Sequence, residues 1–279
     1  MKVGVAGIGL IGGSLARDYK AAGHTVYVYD RTASVEEYAK LAGVADGLLD
    51  ESTVPECDLI FVALFPTDTI KYMEDIAPIV RKDAVVIDCG GTKREICRAG
   101  FALAEKYGYT YVGGHPMAGT QFSGFKNSAR HMFKGAPMVI VPPVYDDIQF
   151  LQRIKDLLAP AEFGRITVST AEDHDRTIAF TSQMAHVVST AYVKSPTAQI
   201  HSGLSAGSYQ DMTRVARLNE YMWTDLLLEN GDNLVRELDF FINSLEDYRD
   251  AIADNDAKKL CSLLSEGRKI KEKVDGQYD

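Results

Sequence analysis

A doubly wound α/β domain followed by an all-helical domain is the architecture the sequence predicts, and three observations carry it. Short apolar strands alternate with helical stretches over residues 1–169, a glycine turn follows directly on the first strand, and strand signals stop after Ser169. The elements follow in order. Lys2–Ala6 reads as a strand, the turn Gly7-Ile8-Gly9-Leu10-Ile11-Gly12 comes next, and a helix runs to about Ala22. Thr25–Tyr29 is a second strand ending at Asp30. Asp58–Phe65 (DLIFVALF) is nearly all apolar, as a strand covered on both faces of a parallel sheet must be. Asp83–Asp88 and Tyr109–Val112 repeat that pattern, and Met138–Val141 and Arg165–Ser169 read as late strands around a helix beginning near Asp146. Long helices are then expected over Ala171–Val193, Gln210–Leu228, Asn233–Ala253 and Asp256–Val274. The expected boundary gives an α/β domain, 1–169, and a helical domain, 170–279. Helices of that length expect partners, across a dimer as well as within the chain.

Bulk composition narrows the classes. The chain has 279 residues, with 46% hydrophobic and 25% charged side chains, enough for one large or two modest cores. Its 30 basic and 39 acidic residues give a formal charge of −9 with no basic block, so nucleic acid and anionic membrane surfaces are poor partners. Small anions remain candidates, because a single arginine or a helix N-terminus can hold one. Cys57, Cys89, Cys97 and Cys261 form no CxxC pair and no metal-like cluster, which reads as reduced thiols and no metal site. No signal peptide is evident, and no apolar run reaches the ~20 residues a bilayer span needs, so the expected location is the cytoplasm.

The glycine turn carries more than its pattern. GxGxxG is common, but here it closes a strand and opens a helix, the placement of a Rossmann dinucleotide site. Gly7 permits the tight turn, Gly9 lets backbone approach a pyrophosphate, and Gly12 allows close helix–strand packing. The N–H groups at the helix start, around Leu10 and Ile11, would hold the phosphates. Asp30 ends the next strand, where an acid hydrogen-bonds the ribose hydroxyls and repels a 2′-phosphate, favouring NAD. Arg31 beside it can stack on adenine or pair with that phosphate, which leaves NADP open.

His115 lies in Gly113-Gly114-His115-Pro116-Met117-Ala118-Gly119-Thr120, just past a predicted strand, where carboxyl ends line the ligand crevice of such a sheet. A lone histidine is usually structural. At a strand end between glycines and a proline, an imidazole that titrates near neutrality can instead take a hydroxyl proton as a hydride leaves.

At this motif the sequence resembles the prephenate/arogenate dehydrogenase family, and the resemblance covers nearly the whole chain. It includes GIGLIGGS (Gly7–Ser14), HPMAGT (His115–Thr120), Ser123-Gly124 with Phe133-Lys134-Gly135, His174-Asp175, Ser182 with His186, and Asp211-Met212-Thr213-Arg214 followed by Trp223. The resemblance implies a two-domain enzyme of tyrosine biosynthesis, a homodimer paired through its helical halves. It transfers hydride from C4 of the substrate ring to a nicotinamide cofactor while the C1 carboxylate leaves as carbon dioxide. His115 matches the catalytic histidine that contacts the C4 hydroxyl. Arg214 matches an arginine that grips a substrate carboxylate, and His186 a histidine that assists the substrate's polar groups, where the plain alternatives are a solvated arginine and a core histidine. Thr120 and Gln121 fall with the substrate-binding residues and Thr92 with those for the cofactor. Trp223 has a packing role as a ready alternative. The helical pattern runs to Val274, so the stand-alone form is expected, without the mutase or amino-acid-sensing domain fused in some relatives, and any tyrosine inhibition would act at the active site.

Three departures from the family pattern matter. Asp88-Cys89-Gly90-Gly91-Thr92-Lys93 places Gly91 where the family has a serine that hydrogen-bonds the histidine or the C4 hydroxyl, and Thr92 is one residue off, so a water or another donor is needed. Many relatives have Glu where this chain has Gln121, and an SHxxH pattern becomes Ser182-Gln183-x-x-His186. Loss of the acid at Gln121 favours prephenate, with its keto group, over arogenate, with its ammonium. Two rivals remain. A β-hydroxyacid dehydrogenase would need a catalytic lysine on the long helix, where Lys194 lies too late. A non-catalytic NAD-binding regulator would bind nucleotide without turnover.

Overall fold

The computed structural model describes residues 1–120, 122–201 and 203–276. It divides into two compact units, Met1–Asn230 and Gly231–Asp279. In the first, eight strands form one sheet in the order β3-β2-β1-β4-β5-β6-β7-β8. They are β1 (Lys2–Ala6), β2 (Thr25–Tyr29), β3 (Gly47–Leu48), β4 (Leu59–Val62), β5 (Val85–Asp88), β6 (Thr110–Pro116), β7 (Pro137–Val141) and β8 (Arg165–Val168). Five helices alternate with them: α1 (Leu10–Ala21), α2 (Ala33–Leu41), α3 (Pro66–Ile76), α4 (Arg94–Tyr107) and α5 (Ile148–Leu158). Strands β1 to β6 run parallel, and the crossover from β3 back past β1 to β4 creates the switch point at which such sheets bind ligands. β4 and β5 are buried at every residue, as their unbroken apolar runs require. Two apolar cores, one on Leu15, Tyr19, Phe61 and Ile87 and the other on Ile60, Met73, Val86 and Ile96, separate the sheet from its helices.

The sixth strand differs from its sequence expectation. It continues past Val112 through His115 because β7 pairs with it antiparallel, matching His115 to Val139. Gly113 and Gly114 make this extension possible. A Cβ on Gly113 would lie 2.4 Å from Cys97 Sγ, and one on Gly114 would lie 2.3 Å from the Asp88 carbonyl oxygen. The glycine pair therefore lets α4 and β5 close against the strand end that carries His115.

After Val168 every element is helical. α6 (Ala171–Ile178) starts on Thr170, whose hydroxyl accepts the Asp173 N–H, and continues through a π-helical stretch, Ala179–Met184, into α7 (Ala185–Tyr192). The single helix expected over Gln210–Leu228 is in fact broken. α8 (Gly207–Thr213) ends in a tight turn, Arg214–Ala216, and α9 (Glu220–Glu229) restarts on Asn219, whose side chain accepts the Met222 N–H. Asn219 is a helix-start signal set inside an otherwise periodic segment. In the second unit, α10 (Gly231–Ala253) and α11 (Ala257–Asp275) form a helical hairpin, with Asp256 capping α11 through Lys259 N–H. No helix among the described residues is long and apolar enough to cross a membrane.

Candidate active site

The glycine turn sits at the carboxyl end of β1, beside the switch point. Gly7 has φ +84° and donates to the Tyr29 carbonyl at 2.7 Å, and a Cβ there would lie 2.4 Å from the Ala63 carbonyl oxygen. A Cβ on Gly12 would lie 2.0 Å from the Gly7 oxygen, so the first turn of α1 rests directly on the strand. Gly9 faces open space, with nothing within 4 Å of its Cβ position, and no side chain caps the start of α1. Backbone N–H groups at Leu10 and Ile11, with the helix dipole behind them, thus border a gap open to an anion, a cradle that fits a pyrophosphate.

Asp30 directly follows β2, and one of its carboxylate oxygens accepts the Thr32 N–H at 3.0 Å. Its neighbour Arg31 does not turn toward it. The guanidinium lies 5.6 Å above the Phe65 ring and 4.0 Å from the Asp68 carboxylate. Thr92 is buried and donates its hydroxyl to Glu229 at 2.5 Å, so it is tied to α9. Burial pushes the Glu229 carboxyl up, against the lowering effect of the Thr92 bond.

His115 sits near the end of β6 with its Nδ1 2.8 Å from Nε2 of His174 on α6. His174 is buried, and its Nδ1 lies 2.7 Å from Oδ1 of the equally buried Asp175. Asp175 in turn accepts the backbone N–H of Lys93 at 2.7 Å and of Arg94 at 3.0 Å, where α4 begins. Burial would raise the Asp175 carboxyl, but the His174 and backbone hydrogen bonds hold it below the usual carboxylate range. Burial, then His174, then the Lys93 charge push His115 well below the usual histidine value. Burial also lowers His174, with Asp175 pulling the other way. Both imidazoles are therefore neutral at neutral pH.

Beneath them lies a fully buried ion pair between Lys93 and Asp88. Asp88 also accepts Gly90 N–H (2.9 Å), Gly114 N–H (3.0 Å) and the Tyr111 hydroxyl (2.6 Å). One carboxylate thereby fixes the loop after β5 and the residue preceding His115.

His186 lies on α7. His186 Nδ1 lies 2.9 Å from the Ser182 carbonyl, and its ring stacks on Trp223 at 3.8 Å between centroids. Burial lowers its pKa, the carbonyl bond raises it, and the nearby Arg214 charge lowers it. Arg214 is exposed and has no ion pair among the described residues. Thr120 is exposed and its hydroxyl accepts the Phe122 N–H at 3.2 Å, while Gln121 lies outside the described residues. Gln183, in the place of the family's extra histidine, is buried and structural. Its amide donates to the Leu226 carbonyl at 2.8 Å and accepts from Asn230 at 2.8 Å, and Asn230 also donates to the Asp175 carbonyl at 2.7 Å.

Two points escaped sequence reasoning. His174-Asp175 is visible as a motif, but its contact with His115 needs the fold that lays α6 across α4. The gap left by Gly91 is filled by Leu226 of α9, whose Cδ2 lies 3.1 Å from a Cβ built there, and the partner of His115 is His174.

A phosphate-cradling turn at the switch point, with a neutral histidine at a strand end in the same compact unit, defines a nucleotide-dependent dehydrogenase. Comparisons with known proteins then give the family. Residues 15–167 match the nucleotide-binding domain of prephenate dehydrogenase and residues 170–266 its dimerization domain. The cyclohexadienyl dehydrogenase of Zymomonas mobilis is 30% identical over 289 aligned positions, covering 99% of this chain and 97% of the relative. Among solved structures, Synechocystis arogenate dehydrogenase superposes with TM-score 0.80 at 26% identity, covering 98% of this chain and 100% of the other. Prephenate dehydrogenase from A. aeolicus, in complex with hydroxyphenyl propionate and NAD+, gives 0.82 at 25% identity and 98% coverage of each. The chain belongs to the prephenate dehydrogenase family, whose enzymes carry out nicotinamide-linked oxidative decarboxylation in tyrosine biosynthesis.

Proposed function

We propose that the chain converts prephenate to 4-hydroxyphenylpyruvate with NAD, using His115 as general base. The observation that carries this reading is the geometry of His115: its Nδ1 is tied to His174 Nε2 at 2.8 Å and its Nε2 has no partner among the described residues, while burial holds its pKa well below the usual histidine value. A neutral imidazole with one committed nitrogen presents a single acceptor to the substrate's C4 hydroxyl. When bound, the nicotinamide accepts the C4 hydride. His115 takes the hydroxyl proton as carbonyl character builds; the C1 carboxylate then leaves as carbon dioxide, its electrons make the ring aromatic and the C4 oxygen a phenolate, and His115 returns the proton to that oxygen. Arg214, exposed and without an ion pair among the described residues, supplies the cation for a substrate carboxylate, and His186 adds Nε2 as a further polar contact held flat by Trp223. Thr120, which ends the HPMAGT segment, and Gln121, which follows it in sequence, are assigned to the substrate.

For the cofactor, the Gly7–Gly12 cradle with Leu10 and Ile11 N–H groups takes the pyrophosphate and Asp30 the ribose. The contact of Arg31 with Phe65 and Asp68 supports NAD, because Asp68 already answers the charge that a 2′-phosphate would need. Thr92 orders the cofactor side of the α4 start through Glu229. Gln121, neutral where relatives carry an acid, supports prephenate over arogenate. We place the domain boundary at 169/170, between the two matched stretches, and expect a cytoplasmic homodimer paired through the helical half. Steady-state comparison of prephenate and arogenate, each with NAD and NADP, tests this reading. The highest kcat/KM is expected for prephenate with NAD; a preference for arogenate or NADP of tenfold or more overturns that assignment.

A further inference from the structure

We propose that His174 and Asp175 are positioning residues for the reaction, a hydrogen-bonded pair that fixes which nitrogen of His115 faces the substrate and relays the proton that His115 receives. The proposal rests on the reading of His115 as the base.

The direction of the chain follows from its far end. The Asp175 carboxylate can only accept, and its Oδ1 lies 2.7 Å from His174 Nδ1, so that nitrogen carries the hydrogen. Neutral His174 must then have its lone pair on Nε2, which lies 2.8 Å from His115 Nδ1. His115 therefore donates through Nδ1 and holds its own lone pair on Nε2, the tautomer a general base needs. Asp175 cannot swing away, because the Lys93 and Arg94 N–H groups at the start of α4 hold both of its oxygens. His174 is buried and wedged between the two.

The step balances without another reactant. The C4 hydroxyl proton goes to His115 Nε2, the Nδ1 proton of His115 moves toward His174 Nε2, and the Nδ1 proton of His174 stays in its bond to Asp175; when carbon dioxide leaves, the same shifts run in reverse and His115 Nε2 returns the proton to the phenolate oxygen at C4. The positive charge created on the imidazoles is thus met by a carboxylate that is already ionised. Other charges around the relay are Lys93, just before α4, Arg94 from α4, Asp88 from β5 and Glu229 from α9. Of these, Lys93 opposes a proton on either histidine, and this makes the Asp175 charge the more necessary.

The test compares His174→Ala, His174→Gln, Asp175→Asn and His115→Asn by steady-state kinetics across pH with prephenate and NAD, by NAD binding, and by 15N NMR of labelled histidines. In the intact protein His115 should show a protonated Nδ1 and an unprotonated Nε2. His174→Ala should lower kcat by about 100-fold, the low end for loss of general-base assistance, with substrate KM and NAD affinity within about twofold. Its acid limb should also move to lower pH, since the His115 imidazolium loses the acceptor at its Nδ1. His174→Gln, which keeps an acceptor, should recover part of kcat. Asp175→Asn also removes an anchor of α4, so if it fails to fold, His174→Ala and the NMR spectrum still decide. An inactive His115→Asn beside a His174→Ala of normal kcat and unmoved limb overturns the relay and leaves the base reading standing. An active His115→Asn overturns both.

Discussion

Replacing Lys93 with methionine tests how the catalytic strand end is held. Lys93 and Asp88 are both fully buried, so Lys93→Met leaves a carboxylate in the interior without its counter-charge. Removing one partner of such a pair costs about 3–5 kcal/mol. Asp88 keeps three neutral donors, Gly90 N–H, Gly114 N–H and the Tyr111 hydroxyl, which places the loss near the low end, at about 3 kcal/mol. For a chain of this size that corresponds to a fall in Tm of roughly 6–12 °C. Urea denaturation at fixed protein concentration reads it as a lower midpoint with an unchanged slope. Adding Asp88→Asn removes the stranded charge, so the double variant should recover part of the loss. The same substitution removes a cation that depresses His115 and His174, so the acid limb of kcat/KM should rise in pH. A loss under about 1 kcal/mol for Lys93→Met, or a double variant no better than the single, would refute the reasoning.

Three further outcomes are expected. Asp30→Ala should shift discrimination toward NADP by about 1–3 kcal/mol, as loss of a hydrogen bond to a charged group does, read from kcat/KM for the two cofactors; an unchanged ratio assigns the ribose elsewhere. Arg214→Ala should raise substrate KM with little change in NAD affinity, by about 2 kcal/mol or roughly 30-fold because the guanidinium is exposed, and a weakened NAD site with normal KM would remove Arg214 from the substrate. His115 and His174 have folded pKa values below the usual 6.5, so the unfolded chain binds their protons first. Their contribution to stability is full above that value and is lost as pH falls toward the folded values. Thermal melts should drop between about pH 7 and about pH 5, and the drop should shrink in His174→Ala.

The parts of the fold legible in the sequence are those set by local pattern. Unbroken apolar runs gave β4 and β5, and the strand–turn–helix order placed Gly7, Gly9 and Gly12 in the turn between β1 and the uncapped start of α1. Tertiary pairing hid the rest. Antiparallel β7 extends β6 through His115, and no feature of residues 109–116 alone requires it. Asn219 splits the expected Gln210–Leu228 helix by an N-cap that the hydrophobic period masks. The role of His174-Asp175 depends on contacts with α4 and β6, far away in sequence, so adjacency of the two residues marks a candidate without naming its partner. Gly91 reads as a missing serine, whereas in space it is the site where Leu226 packs.

The most direct test of the central claim is kcat for His115→Asn, measured beside its NAD affinity and thermal stability. Asparagine can hydrogen-bond but cannot accept a proton near neutral pH, so kcat should fall by about 10²–10⁴-fold while KM, NAD binding and folding change little. The wild-type rate should be flat at neutral pH and fall on an acid limb below the usual histidine range, and the variant should lack that limb. A variant that keeps more than about a tenth of wild-type kcat with the limb intact, against the at least ~10²-fold loss expected of a missing base, would contradict the account and transfer the role to His186.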